Sequence, residues 1–260
     1  MAPLLLVMYF GGYPLILLAL AISVIGLGEF YKGFRETGIH PWMKLGYVSI
    51  AVLYAMDVYM YYMGDVDVIF FMAWLAASVM AGSVYMFNIK KYKPADTMAT
   101  ITGIVYIVFF AFHIVMIDQT EDYSILKWLV IITAFGTDIF AYFSGMFFGK
   151  HKLCPDLSPK KTVEGAVGGV VGSVAFSALF GALFAKELLI HCIVIGILAS
   201  PVSMLGDLTA SAYKREMGIK DYGNLIPGHG GIMDRFDSVL FTAPFVYYYI
   251  AIVMRYFLGA

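Results

Sequence analysis

Residues 125–148 read ILKWLVIITAFGTDIFAYFSGMFF. At about 1.5 Å of rise per residue, a helix of this length crosses a hydrocarbon core of about 30 Å. It carries one lysine near its start, Lys127, and one carboxylate in its interior, Asp138. Such a segment must satisfy its backbone polar groups internally, so helix is the default, and no alternating barrel pattern competes with it. Stretches of the same character lie at roughly 3–27, 45–63, 66–87, 97–117, 165–184, 188–206 and 236–258. The expected fold class is all-α: a polytopic transmembrane helical bundle of about eight spans. Composition agrees, with 13% charged residues against about 25% in soluble domains. The first apolar run has no basic residue before it and is too long for a cleaved signal, so it reads as the first span.

Eight spans make alternating loops, and the basic residues choose between the two sides. Loops 28–44, 88–96, 149–164 and 207–235 hold 14 of the 17 lysines and arginines. The opposite side holds only Lys127, Lys186 and Arg255. Positive loops stay in the cytoplasm, so both termini are expected outside and the rich loops inside. The formal net charge of −1 excludes a nucleic-acid-binding polycation. Cys154 falls in a loop and Cys192 in a span, so no disulfide is expected, and no cysteine or histidine spacing suggests zinc. A division follows into N-terminal transmembrane helices, 1–124, and a C-terminal region, 125–260, in which the chemistry-bearing residues collect.

The longest loop carries Asp207, Ser211, Lys214, Arg215, Lys220, Asp221, Pro227, Gly228, His229, Gly230, Gly231, Asp234, Arg235 and Asp237. Asp234 and Asp237 are three apart at a helix start, which puts both on one face. Hard cations such as Mg²⁺ take carboxylate oxygens, usually one or two plus phosphates and water. Asp207, at the end of span seven, is placed to close the same site. The glycines around His229 free backbone N–H groups for a phosphate, and the following helix N-terminus would point at that anion. The bland reading is that the acids favour a helix dipole and the bases merely follow the positive-inside pattern. The combination in one loop favours the functional reading.

A second loop reads Ser158-Pro159-Lys160-Lys161-Thr162-Val163-Glu164-Gly165. Ser158 before proline fits a helix cap. Lys160 and Lys161 suit a triphosphate or a lipid phosphate, unless they are only a juxtamembrane basic patch. Glu164 either orients a lysine or caps the helix. Gly165, Gly168, Gly169 and Gly172 have the spacing of close helix packing. Asp138 is costly inside a span and is expected to face a polar cavity. Asp57, His113 and Glu29 are weaker cases, and Glu29 is expected at the membrane interface.

Together, Ser211, Lys214-Arg215, Lys220-Asp221, Pro227, His229-Gly230-Gly231, Asp234-Arg235 and Asp237 resemble the signature of the phosphatidate cytidylyltransferase (CDP-diacylglycerol synthase) family. Asp138-x-x-Ala-Tyr-Phe-x-Gly145 and Ser158 to Gly165 are similar to its companion motifs. The resemblance covers the chain from residue 133 on. It implies that CTP and phosphatidate give CDP-diacylglycerol and pyrophosphate, with Mg²⁺ as cofactor and K⁺ as a possible second cation. It implies an enzyme of the cell (inner) membrane with its site facing the cytoplasm, and no nucleic-acid partner. A homodimer is one option for its assembly. Carried over by position, Asp207 and Asp234 would bind the metal, with Asp237 beside them. Lys214, Arg215 and His229 would serve catalysis. Asp138, Ser158, Lys160, Lys161, Glu164, Ser211, Lys220, Asp221, Gly230, Gly231 and Arg235 would meet the substrates.

Two rivals remain open on residues alone. One is a CTP-dependent lipid kinase of the dolichol or phytol type, with CDP-archaeol synthase as the ether-lipid variant of the main reading. The other is a transporter using Asp57, Asp138 and His113, against which the lack of repeated halves counts.

Overall fold

The structure is a computed structural model that describes residues 2–64, 67–88, 90–225 and 230–257. A helix lies at each of the eight expected stretches. The described helices are α1 (Ala2–Phe10), α2 (Gly12–Glu36), α3 (Met43–Met63), α4 (Val68–Tyr85), α5 (Pro94–Gly103), α6 (Phe110–Asp118), α7 (Lys127–Phe148), α8 (Val163–Phe184), α9 (Leu189–Glu216) and α10 (Met233–Tyr248). A π-helical segment, Ile104–Phe109, joins α5 to α6 into one rod, and another, Tyr249–Phe257, continues α10.

Among the described residues, seven helical segments are long and apolar enough to cross a membrane. The protein is thus a polytopic helical bundle. The remaining long helix, α3, has 21 residues but falls below that apolarity, because it carries Lys44, Asp57 and Tyr47, Tyr54, Tyr59, Tyr61 and Tyr62.

Three boundaries differ from the sequence expectation. The first stretch breaks at Gly11, whose φ of 61° is costly for any other residue, so the long helix is shifted to Gly12–Glu36. Glu29, Lys32 and Arg35 are therefore helical rather than in a loop. Helix α9 runs on to Glu216, so Asp207, Ser211, Lys214 and Arg215 are also helical. Finally, the all-α reading misses a small hairpin, β1 (Lys152–Cys154) and β2 (Ser158–Thr162), paired antiparallel. Pro159 is tolerated there because a two-stranded hairpin has only edge strands.

The chain forms two compact units, Met1–Val115 with Glu216–Arg235, and Met116–Arg215 with Phe236–Ala260. In the first unit α2, α3, α4, α5 and the π-helical segment pack side by side. Several of its core polar groups are paired: Tyr31 Oη donates to Thr100 O at 2.7 Å, Trp74 Nε1 to Ser49 O at 2.9 Å, and Ser23 Oγ lies 2.9 Å from Tyr54 Oη. Asp57 is fully buried in this unit, on the helix that carries Tyr54. His113 is fully buried too, with Nδ1 2.7 Å from Phe109 O.

In the second unit α7 and α8 lie against each other along the predicted glycine stripe. A Cβ at Gly169 would come within 2.9 Å of Thr137 O, one at Gly165 within 2.8 Å of Ala141 O, and one at Gly172 would strike the Phe140 ring. The glycines are there because only hydrogen fits between these backbones. Cys154 and Cys192 are free thiols.

Candidate active site

In the second unit the site is built from the hairpin, α7, α9 and α10. Side chains alternate across a strand, and β2 uses that alternation to separate its twin lysines. Lys160 is exposed, while Lys161 forms an ion pair with Asp207 Oδ2 on α9. The expected cap at Ser158 is corrected: Ser158 opens the strand, and Thr162 caps α8 with Oγ1 accepting from Gly165 N at 3.1 Å. Glu164 holds the start of the hairpin. Its Oε2 accepts from Lys150 N at 3.0 Å and His151 N at 3.2 Å, and its Oε1 lies 2.6 Å from His151 Nδ1. Arg215 Nε donates to Leu157 O at 3.4 Å, so the end of α9 also holds the hairpin loop.

Three carboxylates of this unit, Asp207, Asp138 and Asp237, act on one another. Asp207 accepts from Ser211 Oγ at 3.4 Å, one turn on along α9. Asp138 Oδ2, on α7, accepts from Ser238 Oγ at 3.2 Å. Asp237, on α10, is buried, and its Oδ1 accepts from Ser238 N at 2.7 Å. The charges of Asp207, Asp138 and Lys214 act on Asp237, and those of Asp207 and Lys161 act on Asp138. A Cβ on Gly206 would come within 2.7 Å of Asp237 O, so α9 and α10 touch where the carboxylates sit. Sequence reasoning singled out every charged member of this group. It missed Ser238, which nothing but its place beside Asp237 sets apart.

In the first unit the glycine-rich segment is organised differently. Asp234 Oδ2 accepts from Tyr222 N at 2.8 Å and from Gly231 N at 3.0 Å. Gly230 has φ 81°, and a Cβ there would lie 2.8 Å from Asp234 Oδ2. Glu29, on α2, accepts from Ile232 N at 3.1 Å and Met233 N at 2.9 Å. The expectation that this helix start would point at a phosphate is therefore corrected. Its first amides, Ile232 N and Met233 N, are taken by Glu29, and the Gly231 amide just before them by Asp234. Sequence reasoning gave Glu29 a place at the membrane interface and did not foresee these two amide partners. Lys220, Asp221 and Arg235 are exposed in this unit. Pro227, Gly228 and His229 lie outside the described residues.

Among the described residues no group of three or more His, Cys, Asp or Glu could hold a metal ion by itself. The donors gathered in the second unit are carboxylate and hydroxyl oxygens, with no thiol or imidazole. That set suits Mg²⁺, which is commonly held by one or two carboxylates plus substrate phosphates.

Residues 1–253 match the model of the family described as "Cytidylyltransferase family". The chain is similar to the phosphatidate cytidylyltransferase of Bacillus subtilis (strain 168), 34% identical over 171 residues, which is 65% of this chain and 64% of that protein. It is similar to the phosphatidate cytidylyltransferase of Synechocystis sp. (strain ATCC 27184 / PCC 6803 / Kazusa), 48% identical over 131 residues, 48% of this chain and 44% of the relative. A third relative, the phosphatidate cytidylyltransferase of Haemophilus influenzae (strain ATCC 51907 / DSM 11121 / KW20 / Rd), is 40% identical over 130 residues, 48% and 45% of the two chains. The chain spans less than two thirds of the length of each of these curated relatives.

Proposed function

Because the chain belongs to the cytidylyltransferase family, we propose that it condenses CTP with phosphatidate to give CDP-diacylglycerol and pyrophosphate. The observation that carries this reading is the ion pair of Lys161 with Asp207, whose charge also acts on Asp138 and Asp237. Such a group suits a reaction in which two anions meet.

A phosphate oxygen of phosphatidate attacks the α-phosphorus of CTP in line, a P–O bond forms, and the bond to the β-phosphate breaks with pyrophosphate leaving. A phosphate monoester has its second pKa near about 6, so the nucleophile is already ionised and needs no strong base. The work of the protein is alignment and charge neutralisation. Lys161 and Lys214 supply positive charge to the approaching phosphates. Asp207 fixes where the Lys161 ammonium stands, and Arg215 and Glu164 hold the hairpin that carries it. Asp207 and Asp237 would hold Mg²⁺, in place of the pair Asp207 and Asp234 that the resemblance implies, because Asp234 Oδ2 already accepts from Tyr222 N and Gly231 N; when bound the ion offsets charge on the triphosphate, with K⁺ as a second cation. The excess of basic residues in alternate loops supports placing the site on the cytoplasmic face of the cell membrane, where soluble CTP meets a lipid headgroup.

The test uses the purified full chain with α-labelled CTP, phosphatidate and Mg²⁺. The expected result is label in the organic phase with an equal amount of pyrophosphate. Release of CDP with phosphorylation of a lipid hydroxyl would replace this reading with that of a lipid kinase.

A further inference from the structure

The carboxylate of Glu29 sits on α2, 203 residues before the amide it binds at Ile232. It accepts one N–H on each oxygen, from Ile232 and Met233, the residues at which α10 begins. Helix starts leave such donors unsatisfied, and a negative charge there is favourable. Space has been made for it from two sides. A Cβ added to Gly223 or to Gly231 would collide with the Glu29 carboxylate. Around it, Phe30 faces the Tyr222 ring at 6.2 Å, and a Cβ on Gly33 would meet Met217 and lie 3.2 Å from Ile219. One face of α2 is thus a mould for the segment that carries Asp234 and Arg235.

We propose that Glu29 is a positioning residue of the cytidylyl transfer. By clamping the amides of Ile232 and Met233 it holds the first turn of α10, which bears Asp234; Asp237 follows one turn on along the same helix. It touches no substrate and acts through the helix. The proposal rests on the reaction read above for this site. A displacement of about 1 Å in a catalytic group costs up to about 100-fold in rate, so the effect belongs in kcat. Glu29→Ala removes both acceptors. Glu29→Gln keeps one and turns an amide N–H₂ toward the second donor, while Glu29→Asp keeps the charge on a shorter arm.

The experiment combines two measurements on the full chain in detergent. The first is hydrogen–deuterium exchange over peptides covering 216–225 and 230–240. The second is turnover, with kcat and KM determined separately for CTP and phosphatidate. Expected are faster exchange in those peptides alone in Glu29→Ala, kcat down about 10- to 100-fold with both KM values within about threefold, and partial recovery in Glu29→Asp. Unchanged exchange at 230–240 overturns the proposal whether or not the wild type turns over. Equal acceleration of exchange throughout the chain, with loss of folded protein, assigns Glu29 a stability role only and also overturns it. A lower KM for CTP in Glu29→Ala would mean that the carboxylate occupies a phosphate's place, the third overturning result. A wild type that makes no CDP-lipid sinks the proposed reaction, while the exchange data still decide whether Glu29 clamps the helix.

Discussion

Two groups of carboxylates in this protein are used in opposite ways. In the first unit, Glu29 and Asp234 accept from backbone amides: Ile232 and Met233 for the one, Tyr222 and Gly231 for the other. In the second unit, Asp207 pairs with Lys161, and the charges of Asp207 and Asp138 act on Asp237. A carboxylate bound to main-chain N–H groups has its charge dispersed over fixed dipoles and holds a loop in shape. Carboxylates gathered around an ammonium that one of them holds keep charge in reserve for a ligand. Acidic residues in a signature are therefore not equivalent, and their partners separate architecture from chemistry.

The sharpest way to break this comparison is Asp207→Asn. It removes the partner of Lys161 and a proposed metal oxygen while leaving the first unit's hydrogen bonds alone. CDP-lipid formation should fall by about 10²- to 10³-fold, in the range found when one preorganised charge-stabilising group is lost, with the melting temperature in detergent near that of the wild type. Turnover at the wild-type rate would erase the distinction between the two groups. Lys161→Met comes next, with a fall of about 100-fold that added Mg²⁺ does not restore. Recovery at high Mg²⁺ would show that Lys161 only screens charge in bulk and has no fixed place in the site.

Asp234→Ala probes the other group and should read differently. Two charge-assisted hydrogen bonds to main-chain amides are lost, each worth about 1.5–3 kcal/mol. Activity and thermal stability should therefore fall together, and exchange should rise at Tyr222 and Gly231. A variant that loses activity with no change in melting or exchange would move Asp234 from the architectural to the chemical group.

How much of this was readable in advance depended on the range of the signal. The long helices follow from local apolar runs, and the α7–α8 contact from the spacing of Gly165, Gly169 and Gly172, because both signals lie within single segments. The charged members of the second unit's cluster stood out because charge in an apolar chain is rare. The hairpin escaped because Ser158–Thr162 is five residues with a proline, too short for a period to show, and its serine mimics a cap. Glu29 escaped for a different reason. A lone glutamate in α2 announces that it needs partners, but nothing local names amides two hundred residues away. The reading of the α10 N-terminus as a phosphate site failed with it, since that reading assumed free donors.

The smallest effect concerns the twin lysines. Lys160 and Lys161 are adjacent in sequence, yet the strand turns them to opposite faces, and only Lys161 meets a carboxylate. Lys160 is exposed and carries its charge next to the span that begins at Val163. One such lysine contributes about 1 kcal/mol of attraction to an anionic membrane surface, a factor of about five in apparent affinity. Lys160→Met should therefore raise the KM for phosphatidate in anionic vesicles about fivefold, leave kcat unchanged, and lose its effect at about 1 M salt, where the screening length shrinks to about 3 Å. A fall in kcat that persists at high salt would place Lys160 with Lys161 in the chemistry and would mean that strand alternation does not divide the pair.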